Sequence, residues 1–241
     1  MDVKKNAVCL VLGAGPGTGA ECARRFTAAG YRTALLARDE ARIADIAQTL
    51  EGAKHYRCDA SNLDQLVDVI EQVSDEMGPP RVAIHNAVSG VLEGGGASRF
   101  MEGDPARLEH NFRVNTTSLL SLAQAVTPAM VDAGEGALIV TGNTSAMRGR
   151  ANFAYFAPTK ASQRILAQAM ARDLGPQGVH VAYVLIDAAI NTPRTRPMFG
   201  DRPDEIFCEP SAIADEVFHV AHQHRSAWSF DVEIRPDIET W

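Results

Sequence analysis

Short apolar runs alternate along the whole chain with longer stretches in which apolar positions recur every three or four residues. The runs at residues 7–12, 33–37, 54–57, 82–85, 137–141, 179–186 and 230–234 have strand length. The first six read as nearly continuous in apolar residues, the pattern of parallel strands covered by helices on both faces. The helical period predicts helices over residues 17–29, 40–50, 63–77, 154–174 and 212–224, with 105–133 either one long helix or a broken one. Such alternation predicts an α/β fold with a doubly wound, mostly parallel, seven-stranded sheet.

No linker or repeat divides the chain. Its 241 residues suit one continuous core, since α/β folds of roughly 200–250 residues commonly form a single domain, so residues 1–241 are expected to fold as one unit. The one irregular stretch of size, residues 191–210, carries four prolines. In a doubly wound sheet it would lie at the carboxyl ends of the strands, where ligands bind, which leaves it either a substrate loop or an ordinary surface loop.

Composition narrows the chemistry. With 46% hydrophobic and 22% charged residues the chain can build a packed core. A net charge of −7 gives no electrostatic reason to expect nucleic acid as partner, because phosphate neutralisation needs a surplus of Lys and Arg. The first apolar run is too short for a membrane span, so no membrane partner is expected. Four cysteines without close spacing, Cys9, Cys22, Cys58 and Cys208, fit reduced thiols and a cytoplasmic location. A small-molecule substrate is the remaining expectation.

The first strand runs straight into Gly13-Ala14-Gly15-Pro16-Gly17-Thr18-Gly19 and then into a helix. Glycines allow the tight turn and a close backbone approach, and the exposed N–H groups of a helix start attract a pyrophosphate. After the second strand, Leu36-Ala37-Arg38 offers no acid for a ribose 2′-hydroxyl and places a guanidinium where a 2′-phosphate would sit. This favours NADP over NAD, with a solvated Arg38 as the plain alternative.

The glycine spacing resembles the Gly-x-x-x-Gly-x-Gly turn of the short-chain dehydrogenase/reductase family, and further landmarks of that family follow in order. Asp59, with Ala60 beside it, stands where the family caps the adenine. His85-Asn86-Ala87-Val88 is similar to the family's Asn-Asn-Ala-Gly, with two residues changed. Val114-Asn115 resembles the helix whose asparagine holds a relay water, Lys160 stands at the family lysine, and Ile190-x-Thr192 resembles the segment touching the nicotinamide carboxamide. The resemblance implies a Rossmann fold, an NAD(P)-dependent oxidoreductase acting on a small carbonyl or alcohol, and a homodimer or homotetramer built on the helices at 105–133 and 154–174.

Three positions depart from the family pattern. The tyrosine of Tyr-x-x-x-Lys falls on Phe156, and a phenyl ring has no proton to exchange, whereas a phenol titrates near ~10 and can be brought lower by a neighbouring cation. Tyr155 is the candidate substitute, although successive helical residues point about 100° apart. The family serine falls on Asn143, where the Asn143 amide or the Thr144 hydroxyl could still donate to a developing oxyanion, or merely cap a turn. The Pro-Gly pair ahead of Ile190 is replaced by Asp187-Ala188, and Asp187 is read as a cofactor ligand, with an acid role or a loop-ordering role also open. The resulting candidates are Asn115, Asn143, Tyr155 and Lys160 for catalysis. For cofactor binding they are the turn residues Gly13, Gly15, Pro16, Gly17, Thr18 and Gly19, with Arg38, Asp59, Ala60, Asn86, Ala87, Lys160, Asp187, Ile190 and Thr192. His219, His222 and His224 lack a completing acid or thiol, so no metal is expected and the three read as a solvated helix end. The missing phenol also keeps open a nucleotide-binding protein without catalysis.

Overall fold

A computed structural model describes residues 3–90 and 99–239. The strands are β1 (Val8–Leu12), β2 (Arg32–Ala37), β3 (Lys54–Arg57), β4 (Pro80–His85), β5 (Gly136–Asn143), β6 (Val179–Ile186), β7 (Ala189–Ile190), β8 (Phe207–Cys208) and β9 (Asp231–Ile234). The helices are α1 (Thr18–Ala28), α2 (Glu40–Gln48), α3 (Leu63–Met77), α4 (Pro105–Phe112), α5 (Ser118–Asp132), α6 (Ala157–Leu174) and α7 (Pro210–Ala221). Seven strands form one parallel sheet in the order β3-β2-β1-β4-β5-β6-β9, while β7 and β8 make a separate short ladder. The chain crosses from one half of the sheet to the other between β1 and β4, the switch point at which such sheets bind ligands.

The pleat sorts the core into two layers. Leu10 and Leu12 of β1 face the side covered by α3, α5 and α6, where Leu66, Ile70, Leu119 and Leu122 are buried. Cys9 and Val11 face the side covered by α1, α2 and α7, packed on Phe26, Ile43 and Val217. Local chemistry fixes several helix starts: Asp39, Asn62 and Asp104 each accept a hydrogen bond from a backbone N–H of the first turn, and Pro opens both α4 and α7.

The seven strands, their parallel order and the doubly wound Rossmann architecture agree with the sequence pattern. Two details differ, at β3 and His222, and one open choice is decided. β3 is an edge strand with Tyr56 buried and Lys54, His55 and Arg57 exposed, because only one neighbour covers it. The segment 105–133 is broken by a π-turn at Arg113–Thr117. His222 is not part of a solvated helix end: it is half-buried among Phe26, Tyr31 and Phe218, with Nε2 2.9 Å from the Tyr31 hydroxyl, while His219 and His224 are exposed. No described helix is long and apolar enough to cross a membrane.

Candidate cofactor and active site

The glycine turn is shaped by contacts that exclude a side chain. Gly13 has φ +90°, and a Cβ there would lie 2.5 Å from the Ala87 nitrogen. Gly17 has φ +119°, and its Cβ would meet Thr192 Cγ2 at 2.8 Å. At Gly19 a Cβ would fall on the Gly13 carbonyl, whereas in front of Gly15 there is open space. That space belongs to a cleft of about 790 Å³ over the switch point. The turn lines it with Gly13, Gly15, Pro16, Thr18 and Gly19. The exits of β2, β3 and β4 add Arg38, then Asp59 and Ala60, then Asn86 and Ala87, and Ile190 and Thr192 close the far side.

Two observations fit this cleft to a phosphate-bearing dinucleotide. The N-cap Gly17 supplies no side-chain cap to α1, and although the Ala20 N–H turns back to the Gly15 carbonyl, the Thr18 and Gly19 N–H groups ahead of it suit a ligand. The Thr18 hydroxyl is buried without a hydrogen-bond partner among the described residues, a donor waiting for an acceptor. Arg42 and Arg194 also line the cleft, giving it three guanidiniums together with Arg38. Burial pushes the Asp59 carboxyl up, but the N–H and hydroxyl of Ser61 at 2.9 and 2.8 Å, together with the charges of Arg38 and His110, outweigh it and hold the group below its usual value.

A chain of hydrogen bonds leads from the turn to the lysine. Asn86 Nδ2 donates to the Gly13 carbonyl at 2.8 Å, Thr141 Oγ1 donates to Asn86 Oδ1 at 2.8 Å, and Lys160 Nζ donates to the Thr141 carbonyl at 3.1 Å. Burial brings the Lys160 ammonium down to about 7. Behind it His85 is fully buried and its pKa is lowered to about 3, first by burial and then by the Lys160 charge. Its Nε2 lies 2.7 Å from Ser118 Oγ, whose own proton goes to the Val114 carbonyl, so the imidazole donates there and accepts at Nδ1 from Gln163.

Asn115 sits in the π-turn, a backbone irregularity common at functional sites. Completely buried, it takes the Ser89 N–H on Oδ1 and donates from Nδ2 to the Ser89 carbonyl and to Thr159 Oγ1. The loop after β4 is thereby tied to the start of α6. Phe156 precedes that helix directly and is 1% exposed. Tyr155 lies outside the regular helix, and its hydroxyl stands 2.5 Å from the Phe100 carbonyl and 2.8 Å from that of Gly103. Asn143 Oδ1 accepts from the Ser145 N–H at 3.1 Å and caps a short 3₁₀ turn.

A sequence model described as short chain dehydrogenase matches residues 7–202. The chain belongs to the short-chain dehydrogenase/reductase family. Among similar curated proteins, an uncharacterized oxidoreductase of Staphylococcus saprophyticus is 24% identical over 238 residues, covering 96% of this chain and 98% of the other. L-xylulose reductase of Bos taurus is 26% identical over 227 residues, covering 90% and 89%. A short-chain dehydrogenase structure from Rhodopseudomonas palustris superposes with a TM-score of 0.81 at 27% identity over 97% of this chain and 100% of the other. A metagenomic short-chain oxidoreductase solved in complex with NADP gives 0.84 at 24% identity, covering 99% and 100%. The protein is thus an oxidoreductase of short-chain type with a Rossmann fold.

Within this short-chain dehydrogenase/reductase, Asp187 and Lys160 lie outside the lining of the main cleft. Asp187 is 5% exposed, and Arg148 Nη2 stands 3.9 Å from its Oδ1. Sequence reasoning passed over Arg42, Arg148 and Thr141. Arg42 had a local signal, one helical turn beyond Arg38. Arg148 and Thr141 had none, since their partners, Asp187 just past β6 and Lys160 on α6, are distant in the chain.

Proposed function

We propose that the protein is an NADP-dependent oxidoreductase that interconverts a small carbonyl compound and its alcohol. The observation that carries this reading is the cleft itself: a glycine cradle no Cβ could enter, an unpartnered Thr18 hydroxyl at a helix start, and a hydrogen-bonded line from Gly13 to the buried Lys160. When bound, the nicotinamide supplies the hydride acceptor or donor.

The chain's own residues have distinct tasks. Gly15 through Thr18 would hold the pyrophosphate on the N–H groups of α1. Arg38, with Arg42 beside it, would pair with the 2′-phosphate, and Asp59 with Ala60 would border the adenine. Ile190 and Thr192 would border the carboxamide. Lys160 would donate to the nicotinamide ribose, and its lowered proton affinity suits it to pass a proton near neutral pH. Asn115 fixes the start of α6, which Phe156 directly precedes and on which Lys160 stands. The Asn143 amide nitrogen or the Thr144 hydroxyl would donate to the substrate oxygen. Residues 191–210 would cover the substrate. Exposed Leu120 on α5 and Ile165 on α6 support a homodimer or homotetramer built on these helices, which light scattering would measure, and unpaired cysteines support a cytoplasmic location.

Fluorescence titration tests the reading. NADPH is expected to bind at least about tenfold more tightly than NADH, and Arg38→Ala to remove that preference, because a charge-assisted phosphate contact is worth about one to two powers of ten. Equal affinities in both proteins would sink the NADP assignment. Loss of NADPH absorbance against a panel of ketones and aldehydes tests the chemistry, and tight cofactor binding with no turnover on any member would count against it.

A further inference from the structure

Several polar groups around the expected reaction centre are held by neighbours. The Tyr155 hydroxyl is held by the Phe100 and Gly103 carbonyls, Asn143 Oδ1 by the Ser145 N–H, and the Lys160 ammonium by the Thr141 carbonyl. Asp187 differs. It follows Ile186, the register partner of Asn143, so it stands at the same carboxyl edge of the sheet, and its backbone N–H is anchored on the Ile234 carbonyl at 2.9 Å. Its side chain is 7% exposed, with Arg148 3.9 Å from Oδ1. Oδ2 is buried and has no hydrogen-bond partner among the described residues. Leaving a carboxylate oxygen in that state is costly, and native structures tolerate it where a ligand brings the missing donor.

We propose that Asp187 is a catalytic residue that exchanges the proton of the substrate hydroxyl, and that Arg148 is the positioning residue that holds its carboxylate. Asp187 thereby takes over what a phenol at position 156 would do. The proposal rests on the oxidoreductase reading above and names the substrate class in one direction as a primary or secondary alcohol. The alcohol donates its O–H to Oδ2 and so supplies the partner this oxygen lacks. In the reaction that proton passes to Oδ2, the carbinol C–H bond breaks with its electron pair going as hydride to the oxidised nicotinamide cofactor, and the C=O bond forms. The proton then leaves Asp187 for water. An ionised carboxylate only accepts, so Asp187 serves oxidation when ionised and reduction when protonated.

The test uses the protein loaded with NADP and trifluoroethanol as probe, an alcohol that hydrogen-bonds well and yields hydride poorly, followed by ¹⁹F NMR titration. Asp187→Asn is expected to weaken trifluoroethanol binding by about tenfold or more while NADP affinity stays within about twofold, since a hydrogen bond to a charged acceptor is worth about that ratio. Arg148→Met is expected to weaken the probe and Arg148→Lys to restore most of it, which a merely space-filling role at 148 would not produce. On a panel of small alcohols, oxidation by Asp187→Asn should fall about 100-fold or more, within the range of general-base removal. If loaded wild type does not bind trifluoroethanol, or Asp187→Asn binds it equally well, the proposal is overturned while the cofactor assignment survives. If wild type fails to bind NADP, the oxidoreductase reading falls first.

Discussion

The two ends of the site are built by different means. At the cofactor end the backbone does the shaping: Gly13, Gly17 and Gly19 sit where neighbouring atoms leave no room for a Cβ, and Thr18 opens a helix toward the cleft. At the other end, where β5, β6 and the start of α6 converge, side chains do it: Lys160 on Thr141, Asn115 on Thr159, Arg148 beside Asp187. A cradle made of backbone tolerates little change in sequence, because its geometry is the binding determinant. A constellation of side chains can exchange members and keep a proton moving. On the proposal above, Phe156 in place of a phenol is such an exchange, with Asp187 taking the proton.

Lys160 probes the side-chain end most severely. Lys160→Met is expected to lower turnover by about 10²–10⁴-fold, the usual worth of a positioned proton-transfer group, read as kcat on whichever substrate the panel yields. The same change should stabilise the cofactor-free protein. Folded Lys160 releases its proton at about 7 against an ordinary value of 10.5, so the unfolded chain binds that proton more tightly and wild-type stability rises with pH between those values. Urea unfolding should therefore show Lys160→Met ahead of wild type at pH 7, with the gap closing by about 1.4 kcal/mol for each pH unit toward pH 9. A constant gap would show that burial does not set the lysine's proton affinity.

Gly13→Ala attacks the backbone end. The added Cβ meets Asn86 and Ala87 backbone atoms and must hold a positive φ, which together cost about 3 kcal/mol. Thermal unfolding and NADPH binding should both suffer. A variant that keeps its Tm and loses the nucleotide would instead locate the constraint in the ligand. Arg38→Ala is milder, about 10–100-fold on NADPH and little on NADH, because it removes a charge and leaves the cradle unchanged.

The contrast also explains what could be read in the chain before folding. The glycine turn and Arg38 are local features, contiguous with a strand exit, so spacing was enough to find them. Lys160 and Asn115 were placed by resemblance, and the helix break at Arg113–Thr117 was an open choice because the same apolar period runs through both halves. Tyr155 was out of reach. Its direction depends on α6 starting at Ala157 and on residues 99–103 passing within reach of its hydroxyl, and neither is encoded in the six residues around it. Arg148 beside Asp187 joins positions 39 residues apart, a pairing only tertiary structure makes.

Tyr155→Phe gives the smallest expected effect and separates two accounts of the missing phenol. The ring packs against Gly103 and under Arg107, the backbone carbonyl accepts from Asn111 Nδ2 at 2.7 Å, and none of this needs the hydroxyl. Removing the hydroxyl takes away the donor to Phe100 and Gly103, worth about 1 kcal/mol, and loosens the 3₁₀ turn at Phe100–Glu102 ahead of α4. Stability should drop by that amount and KM should rise a few-fold, with kcat within about twofold of wild type, as expected when ground-state positioning is lost and chemistry is kept. A fall in kcat as large as that of Asp187→Asn would instead make Tyr155 the proton carrier. The helix start at Ala157 would then have to unwind in the working enzyme to turn the phenol inward, away from the two carbonyls that hold it here.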